Sequence, residues 1–200
     1  MAVQQFRARC GTFFQSLWPA ERKILVYGEG REEHPPIMLI GEAPGEQETL
    51  QGRPFVGKAG KNLDGFLQAV GLKREEIYIS NVVKIRPTKV SPKGSVSNRP
   101  PSREELMLFT PWLYEEILLA QPARIVTLGN VALQALMGKD AVIGACHGRR
   151  MRATVRHNGR EQEFEVFPLY HPASVIYNRS LTEVYARDLT ALRALLDRDN

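Results

Sequence analysis

Cysteine is scarce in this sequence. The chain of 200 residues contains two cysteines, Cys10 and Cys146, which lie in distant segments. Disulfide frameworks need several cysteines and an oxidising compartment. The sequence therefore predicts two free thiols and gives no indication of redox chemistry.

Long apolar runs are also missing. The longest runs, such as IVTLG at 125–129, are far shorter than the roughly 18 apolar residues of a membrane span. The first residues lack the hydrophobic core of a secretory signal peptide. We therefore expect a soluble, cytoplasmic protein without a membrane partner. With 43% hydrophobic residues, the chain can bury one core, so we expect a single domain over residues 1–200.

Acidic residues are absent from two stretches, 84–103 and 141–160. Outside the 11 basic residues of these stretches, the chain has 16 basic and 22 acidic residues, although its overall net charge is +5. Clustered cations are typical of proteins that bind a polyanion, because they displace counterions from phosphates. The alternative interpretation is that both stretches are solvated loop surfaces. The basic residues are Lys84, Arg86, Lys89, Lys93, Arg99, Arg103, Arg149, Arg150, Arg152, Arg156 and Arg160.

Helical and strand patterns alternate along the chain. Apolar spacing and end signals predict five helices, which are Val3 to Trp18, KNLDGFLQAVGL ending near Gly71, a helix from the capping box of Ser102 and Glu105 to about Ala120, NVALQALMG, and TEVYARDLTALRALL. The predicted strands are IMLIGE, IYISNVV, RIVTLG, MRATVR and EFEVFPLY, the last two joined by Asn158-Gly159 as in a β-hairpin. The proline-rich segment RPTKVSPKGSVSNRPP is predicted to be a loop.

This alternation predicts the α/β class. Strands separated by helices favour a three-layer α/β/α sandwich around a central, mostly parallel four-stranded sheet. A β-hairpin in the C-terminal half is predicted as an addition to this sandwich. Ligands of such folds bind outside the carboxyl ends of the strands, and polar residues occupy these ends here. Glu42 follows the first strand, Asn81 ends the second and His171 follows the last, which predicts a site, although Asn81 or His171 alone would be interpreted as structural.

Several motifs in order resemble the uracil-DNA glycosylase superfamily, in particular its family 4. They are GEAPG at 41–45, GRPFVGKAG at 52–60, ISNVVKIRP at 79–87, NRPP at 98–101, IVTLGNVA at 125–132 and YHPAS at 170–174. The resemblance runs from about Tyr27 to the C-terminal helix. GEAPG alone is a weak pattern, whereas the ordered set is specific.

The resemblance implies a monofunctional glycosylase that hydrolyses the bond between uracil and deoxyribose in DNA and leaves an abasic site, as in base excision repair. Its partner would be uracil-containing DNA, single- or double-stranded, and the enzyme would act as a monomer. Such enzymes extrude the base from the stack, and a carboxylate near the sugar stabilises the positive charge that develops there. The alternatives are a glycosylase of the same fold with another base preference and a non-catalytic DNA-binding module.

The resemblance also implies the catalytic residues. Glu42 corresponds to the glutamate of the family motif and is the expected catalytic carboxylate. Ala43 stands where better-known relatives have an aspartate that activates water, so this role stays open among Glu42, Glu48 and Asn98. Glu48 has the alternative role of fixing the loop.

The base pocket follows from the same comparison of motifs. Phe55 is expected to stack on uracil, with ordinary core packing as the alternative. The amide of Asn81 can donate to O4 and accept from N3, which is the opposite of what cytosine requires. His171 is expected to stabilise the charge on O2 of the leaving base. Gly41 and Ala43 complete the substrate-binding set.

Contacts to DNA are expected outside this pocket. Val175 and Ile176, after the HPA motif, are expected to wedge the duplex, with simple burial as the alternative. The basic residues of the predicted DNA-binding set are Lys84, Arg86, Arg99, Arg149 and Arg150.

One departure concerns a cofactor. Family 4 members hold a four-iron four-sulfur cluster on four cysteines, but the corresponding positions here are Cys10, Phe13, Ile85 and about Phe109. Two cysteines cannot supply four thiolate ligands. We therefore expect no cofactor and no metal, and we expect Phe13, Ile85 and Phe109 to pack against one another in the volume of the cluster.

Overall fold

The computed structural model of the chain describes residues 2–21 and 23–198. The strands in this part of the chain are β1 (Glu29–Gly30), β2 (Met38–Gly41), β3 (Tyr78–Asn81), β4 (Thr88–Val90), β5 (Val96–Asn98), β6 (Arg124–Leu128), β7 (Met151–His157) and β8 (Arg160–Leu169). One sheet has the order β1-β3-β2-β6-β8-β7. Strands β3, β2, β6 and β8 are parallel, while β1 and β7 are antiparallel edge strands.

Helices cover both faces of this sheet. They are α1 (Ala2–Leu17), α2 (Glu46–Gln51), α3 (Lys58–Val70), α4 (Arg103–Ala120), α5 (Gly129–Met137), α6 (Ile143–Cys146), α7 (Pro172–Tyr177) and α8 (Thr182–Leu196). Buried residues of α1, α4 and α5 pack in one core cluster, and those of α3 and α8 pack in the cluster on the other face. The predicted three-layer α/β/α sandwich is confirmed.

The strand count differs slightly from the prediction. Four parallel strands form the centre, as expected, but β8 belongs both to this set and to the hairpin with β7. The hairpin therefore extends the sheet instead of standing beside it. Its turn has Asn158 at φ 48° and Gly159 at φ 75°, which are the two left-handed residues that a type I′ turn requires.

The prediction that residues 86–101 form a loop is wrong in its centre. Strands β4 and β5 pair there as a small antiparallel ladder, with Thr88 opposite Asn98. Gly94 turns the chain between them at φ 81°. The prolines flank the ladder and do not interrupt it. Its residues are mostly exposed, so no buried face created an apolar alternation that could be recognised in the sequence.

Aromatic packing between α1 and α4 also corrects an expectation. Ile85 and Phe109 are buried in one cluster with Cys10, as predicted, but the aromatic partner from α1 is Phe14. The rings of Phe14 and Phe109 stack with centroids 4.4 Å apart. Phe13 is 40% exposed because α1 buries the stripe of Val3, Phe6, Cys10 and Phe14, and a residue at position 13 falls beside a stripe of helical period.

Candidate active site

A cavity of about 430 Å³ opens at the carboxyl ends of β2, β3 and β8. It brings together residues from the beginning, middle and end of the chain. Six of the residues predicted for the site lie in its wall, namely Ala43, Glu48, Phe55, Asn81, His171 and, from the end of β5, Asn98. The other lining residues are Gly45, Glu46, Gln47, Gly57, Lys58, Ala59 and Ala173.

Asn81 lies in the floor of this cavity. It pairs with Gly41 across the parallel strands β2 and β3 and is 3% exposed. Its side-chain amide makes no hydrogen bond to any residue that the structure describes. A Cβ atom on Gly41 would lie 2.4 Å from Asn81 Oδ1 and 2.5 Å from Phe55 Cζ. Because position 41 is glycine, the Asn81 amide and the Phe55 ring can both pack against the backbone there.

Phe55 forms an aromatic wall in a constrained conformation. Its φ angle is 53°, a region that costs a residue with a side chain about 1–3 kcal/mol. The guanidinium of Arg74 holds this conformation by donating to the Phe55 carbonyl at 2.8 and 3.0 Å and to the Pro54 carbonyl at 3.1 Å. The Phe55 ring lies 6.0 Å from that of His171, centroid to centroid. Arg74 is a contributor to the site that no motif in the sequence revealed.

His171 forms the opposite wall and begins α7 as its N-cap. Its Nδ1 accepts the backbone N–H of Ala173 at 3.1 Å. A ring nitrogen that accepts carries no proton, so the neutral ring bears its proton on Nε2. Burial lowers the pKa of His171 below its ordinary value of 6.5, which favours this neutral form. The imidazole is therefore a hydrogen-bond donor through Nε2.

Glu48 organises the loop between β2 and α3. Its Oε1 accepts the backbone N–H groups of Val56 at 3.0 Å and Gly57 at 2.7 Å, and its Oε2 accepts that of Gly45 at 3.1 Å. A carboxylate has about four acceptor positions, so one position of Oε2 is left over. The loop-fixing contacts expected as one alternative are present, and the carboxylate also faces the cavity.

Glycine at position 45 leaves a small gap beside this carboxylate. A Cβ atom there would lie 2.8 Å from Glu48 Oε2 and 3.4 Å from Asn98 Nδ2. Asn98 is held from its other end, because its Oδ1 accepts the Nε hydrogen of Arg86 at 2.7 Å. The acceptor Glu48 Oε2 and the donor Asn98 Nδ2 therefore lie on the same side of the Gly45 backbone, and a side chain at position 45 would crowd both groups.

Glu42 differs from the other predicted residues. The described residues that line the cavity do not include it or Gly41, although Ala43 is among them. Its carboxylate is half-buried and makes no hydrogen bond to a described residue. Burial raises the pKa of this carboxyl above its ordinary value. Its backbone carbonyl accepts the N–H of Val83 at 3.0 Å, which holds the start of the GEAPG segment against the chain that follows β3.

The assignment of Lys84 to the DNA-binding set is wrong. Its side chain is 0% exposed and pairs with buried Glu116 at 2.6 Å, so it has no surface to offer to DNA. Two neighbours in the basic stretch are also paired. Arg86 donates to Asn98 and to Glu46, and Arg99 binds Glu105 with two hydrogen bonds of 2.7 Å.

The second basic stretch is balanced in the same way. Acids of β8 pair with arginines in and just before β7, namely Arg150 with Glu165, Arg152 with Glu163 and Arg156 with Glu161. Arg149 is exposed and has no acidic partner among the described residues. The ring of His147, in the same loop, lies 4.8 Å from that of Tyr170, which directly precedes the cavity residue His171 in the chain.

An exposed apolar tip follows His171. Ile176 is 43% exposed and Tyr177 is 83% exposed at the end of α7. Val175 is half-buried. Because Ala173 in the first turn of α7 lines the cavity, a helix of six residues keeps this tip within about 10 Å of the opening. Tyr177 was missed because the predicted wedge included only Val175 and Ile176.

An α/β sandwich with a cavity at the carboxyl ends of its parallel strands is an architecture that binds ligands. A family model described as "Uracil DNA glycosylase superfamily" matches residues 27–194. The chain belongs to this superfamily.

Its curated relatives include type-4 members. A type-4 uracil-DNA glycosylase of Sulfurisphaera tokodaii is 36% identical over 182 residues, covering 87% of this chain and 76% of that protein. One from Pyrobaculum aerophilum is 38% identical over 176 residues, covering 84% and 81%. The crystal structure of Pedobacter heparinus SMUG2 shares the fold, with a TM-score of 0.57 at 16% identity, over 82% of this chain and 77% of that chain.

The residues of this chain do not fit the iron-sulfur cluster that the resemblance to family 4 implies. The sequence has two cysteines, and three of the four corresponding positions are apolar. The thiol of Cys10 is buried among aromatic side chains, and this burial raises its pKa to about 12. A cluster ligand must be a thiolate, which this environment disfavours. None of the helices in residues 2–21 and 23–198 is long and apolar enough to cross a membrane.

Proposed function

We propose that the protein is a monofunctional uracil-DNA glycosylase. The observation that carries this proposal is the amide of Asn81, which is buried in the cavity floor without an internal partner. Buried polar groups are nearly always hydrogen-bonded, so this amide is built for a ligand. Phe55 and His171 flank it. The type-4 names of the relatives support uracil in DNA as the substrate.

Uracil suits the polar groups of the cavity. The Asn81 amide donates to O4 and accepts the N3 proton, while Phe55 stacks against the ring, a contact worth about 1–3 kcal/mol per base. The Nε2 proton of His171 is a donor for O2, where charge accumulates as the base leaves. Cytosine has a donor in place of O4 and an acceptor at N3, so it would leave both groups of Asn81 unpaired.

The attacking water is held between Glu48 and Asn98. Glu48 Oε2 is an acceptor and Asn98 Nδ2 is a donor on the same side of Gly45, and both residues line the cavity. The negative charge of Glu48 also stabilises the positive charge on the sugar. Glu42 does not line the cavity with Glu48 and Asn98. It acts by maintaining the conformation of the GEAPG segment and by the electrostatic field of its carboxylate.

DNA binds across the opening of the cavity. Ile176 and Tyr177 form the apolar tip that enters the stack when the base is extruded. Arg149 supplies a phosphate contact from the neighbouring loop. The enzyme works as a monomer, since all groups used in these steps come from one chain.

An excision assay tests the proposal. Oligonucleotides with a single uracil, cytosine, thymine or hypoxanthine are incubated with the protein, and abasic sites are revealed by alkaline cleavage. We expect product from uracil alone, without strand cleavage before the alkali. A Gly45→Ala variant fills the gap and is expected to bind the same DNA with little product. Preferred release of another base, or no release from any of them, would refute the proposal.

A further inference from the structure

A charged cluster without access to solvent lies behind the cavity. Lys84 is 0% exposed, Glu116 on α4 is 1% exposed, and Tyr78 and Ser80 on β3 are fully buried beside them. No pattern in the sequence indicated a common role for these four residues. The side chains of Tyr78 and Ser80 lie on the face of β3 that packs against α4, where they meet Lys84 and Glu116. The Asn81 side chain faces the cavity on the other side.

Every side-chain donor in the cluster is used. The Lys84 ammonium donates its three protons to Glu116 Oε2 at 2.6 Å, to Ser80 Oγ at 2.7 Å and to the backbone carbonyl of Asn81 at 2.6 Å. Glu116 also accepts the hydroxyl hydrogens of Tyr78 and Ser80, each at 2.9 Å. An ammonium group has three donors and no more, so the geometry of Lys84 is fully determined.

Stability is a weak explanation for such a cluster. Removing two charges from water costs several kcal/mol for each ion, and apolar replacements of buried ion pairs are often neutral or stabilising. The best-attested benefit of a buried polar network is that it specifies one arrangement. The arrangement specified here includes the peptide group of Asn81.

The cluster also depends on the absence of a side chain at position 28. A Cβ atom on Gly28 would lie 2.5 Å from the Tyr78 hydroxyl and 2.8 Å from Glu116 Oε1. The segment before β1 therefore closes over the network and keeps water out. In this dry environment a charged hydrogen bond is stronger than at a surface.

We infer that Lys84 is a positioning residue, which acts through its bond to the Asn81 carbonyl and fixes the direction in which the Asn81 amide enters the cavity. The inference rests on the proposed function, since it concerns the amide that reads the base. Glu116 and Ser80 hold the ammonium in place. Lys84 touches neither base nor DNA and is not a catalytic residue.

The test separates positioning from folding and from DNA binding. Lys84→Met removes the ammonium, and the double variant K84M/E116Q also removes the unpaired buried charge that the single change leaves. Tyr78→Phe is the matched control, because it breaks a hydrogen bond to Glu116 in the same cluster and leaves the bond to Asn81 intact. Each protein is measured for its thermal midpoint, for the single-turnover rate of uracil release and for binding to uracil-free duplex over a range of salt concentrations.

We expect K84M/E116Q to be more stable than K84M and to bind DNA with the wild-type salt slope. Its rate of uracil release should nevertheless fall about 10²-fold, as for a small misplacement of a group in an active site. Tyr78→Phe should lose stability and keep the wild-type rate. A double variant with the wild-type rate would overturn the inference, as would rates that follow stability in all variants. An altered salt slope would show that the change reaches the DNA-binding surface and would likewise overturn the inference.

A second readout is independent of activity. The side-chain NH₂ signals of Asn81 in nitrogen-15 NMR spectra should move in K84M/E116Q and stay in place in Tyr78→Phe. If the wild-type protein releases no uracil, the proposed function fails, and this comparison alone decides whether Lys84 positions Asn81. Unmoved signals in the double variant would refute the positioning role.

Discussion

Replacing Asn81 by aspartate is the sharpest perturbation of the base pocket. The change keeps size and shape but removes the NH₂ donor that would bind uracil O4. An unpaired buried acceptor costs about 1–3 kcal/mol, which corresponds to a loss of about 10- to 100-fold in the rate of uracil release. Cytosine has a donor at the corresponding position, so its release should rise relative to uracil. The selectivity for uracil over cytosine should then fall by at least about 10-fold.

Single-turnover assays measure this effect. Oligonucleotides with one uracil or one cytosine are compared at saturating enzyme, so that binding and release of product do not limit the rate. The matched control is Asn158→Asp, the same chemical change in the exposed turn between β7 and β8. Thermal midpoints show that both variants are folded. Wild-type rate and selectivity in Asn81→Asp would exclude this amide from base recognition.

Three further outcomes follow from the described contacts. Phe109→Ala should lower the free energy of unfolding by about 3–5 kcal/mol in urea titrations, while an iron chelator leaves the wild-type midpoint unchanged; a chelator that unfolds the protein would contradict the packing argument. Burial lowers the pKa of His171 below 6.5, so on acidification the unfolded chain takes up the proton before the folded protein does. The contribution of neutral His171 to the free energy of unfolding is therefore complete above pH 6.5 and declines as the pH falls toward the folded pKa; an NMR titration midpoint of 6.5 or higher would contradict this. Arg149→Ala should reduce the slope of log K against log salt by about 1, whereas Arg152→Ala, which removes an arginine paired at 2.8 Å, should not; equal slopes for both would remove Arg149 from the interface.

Local patterns predicted local structure well. Ser102 and Glu105 form the capping box that begins α4, with the Ser102 N–H bound by Glu105 at 2.7 Å and the reverse bond at 3.2 Å. Asn158-Gly159 forms the predicted turn. In both cases the decisive contacts lie within a few residues, so spacing along the chain determines them.

Contacts between distant segments could not be predicted in this way. The arginines of β7 stand in a run without acids, yet the acids of β8 lie directly opposite them. Lys84 belongs to a basic stretch in the sequence but meets Glu116 from α4 in the interior. A run of basic residues in the sequence shows only which charges are adjacent along the chain. The electrostatic potential of the surface depends on which charges are adjacent in the folded structure.

The site itself was foreseen in part. The ends of β2, β3 and β8 were expected to converge, and Asn81, Phe55 and His171 do line one cavity. The left-handed backbone of Phe55 and its hydrogen bonds with Arg74 were not visible, because a single positive φ angle leaves no pattern in the sequence. The exposure of Phe13 was missed because Phe13 was placed by its match to a cluster cysteine of family 4, and the buried stripe of α1 was not considered.

The order of the sheet governs how the chain can fold during synthesis. Asn81 and His171 are separated by 90 positions, and β6 lies between β2 and β8 in the sheet. A nascent chain that has just left the ribosome beyond β6 can pair β2 with β3 and β6, but the apolar far edge of β6 stays open until β8 has been translated. Such open edges favour aggregation, and pairings of large sequence separation form slowly. We therefore expect the base pocket to form late, when β8 pairs with β6. This pairing covers the open strand edge, which protects the chain from aggregation, and it brings His171 to the pocket.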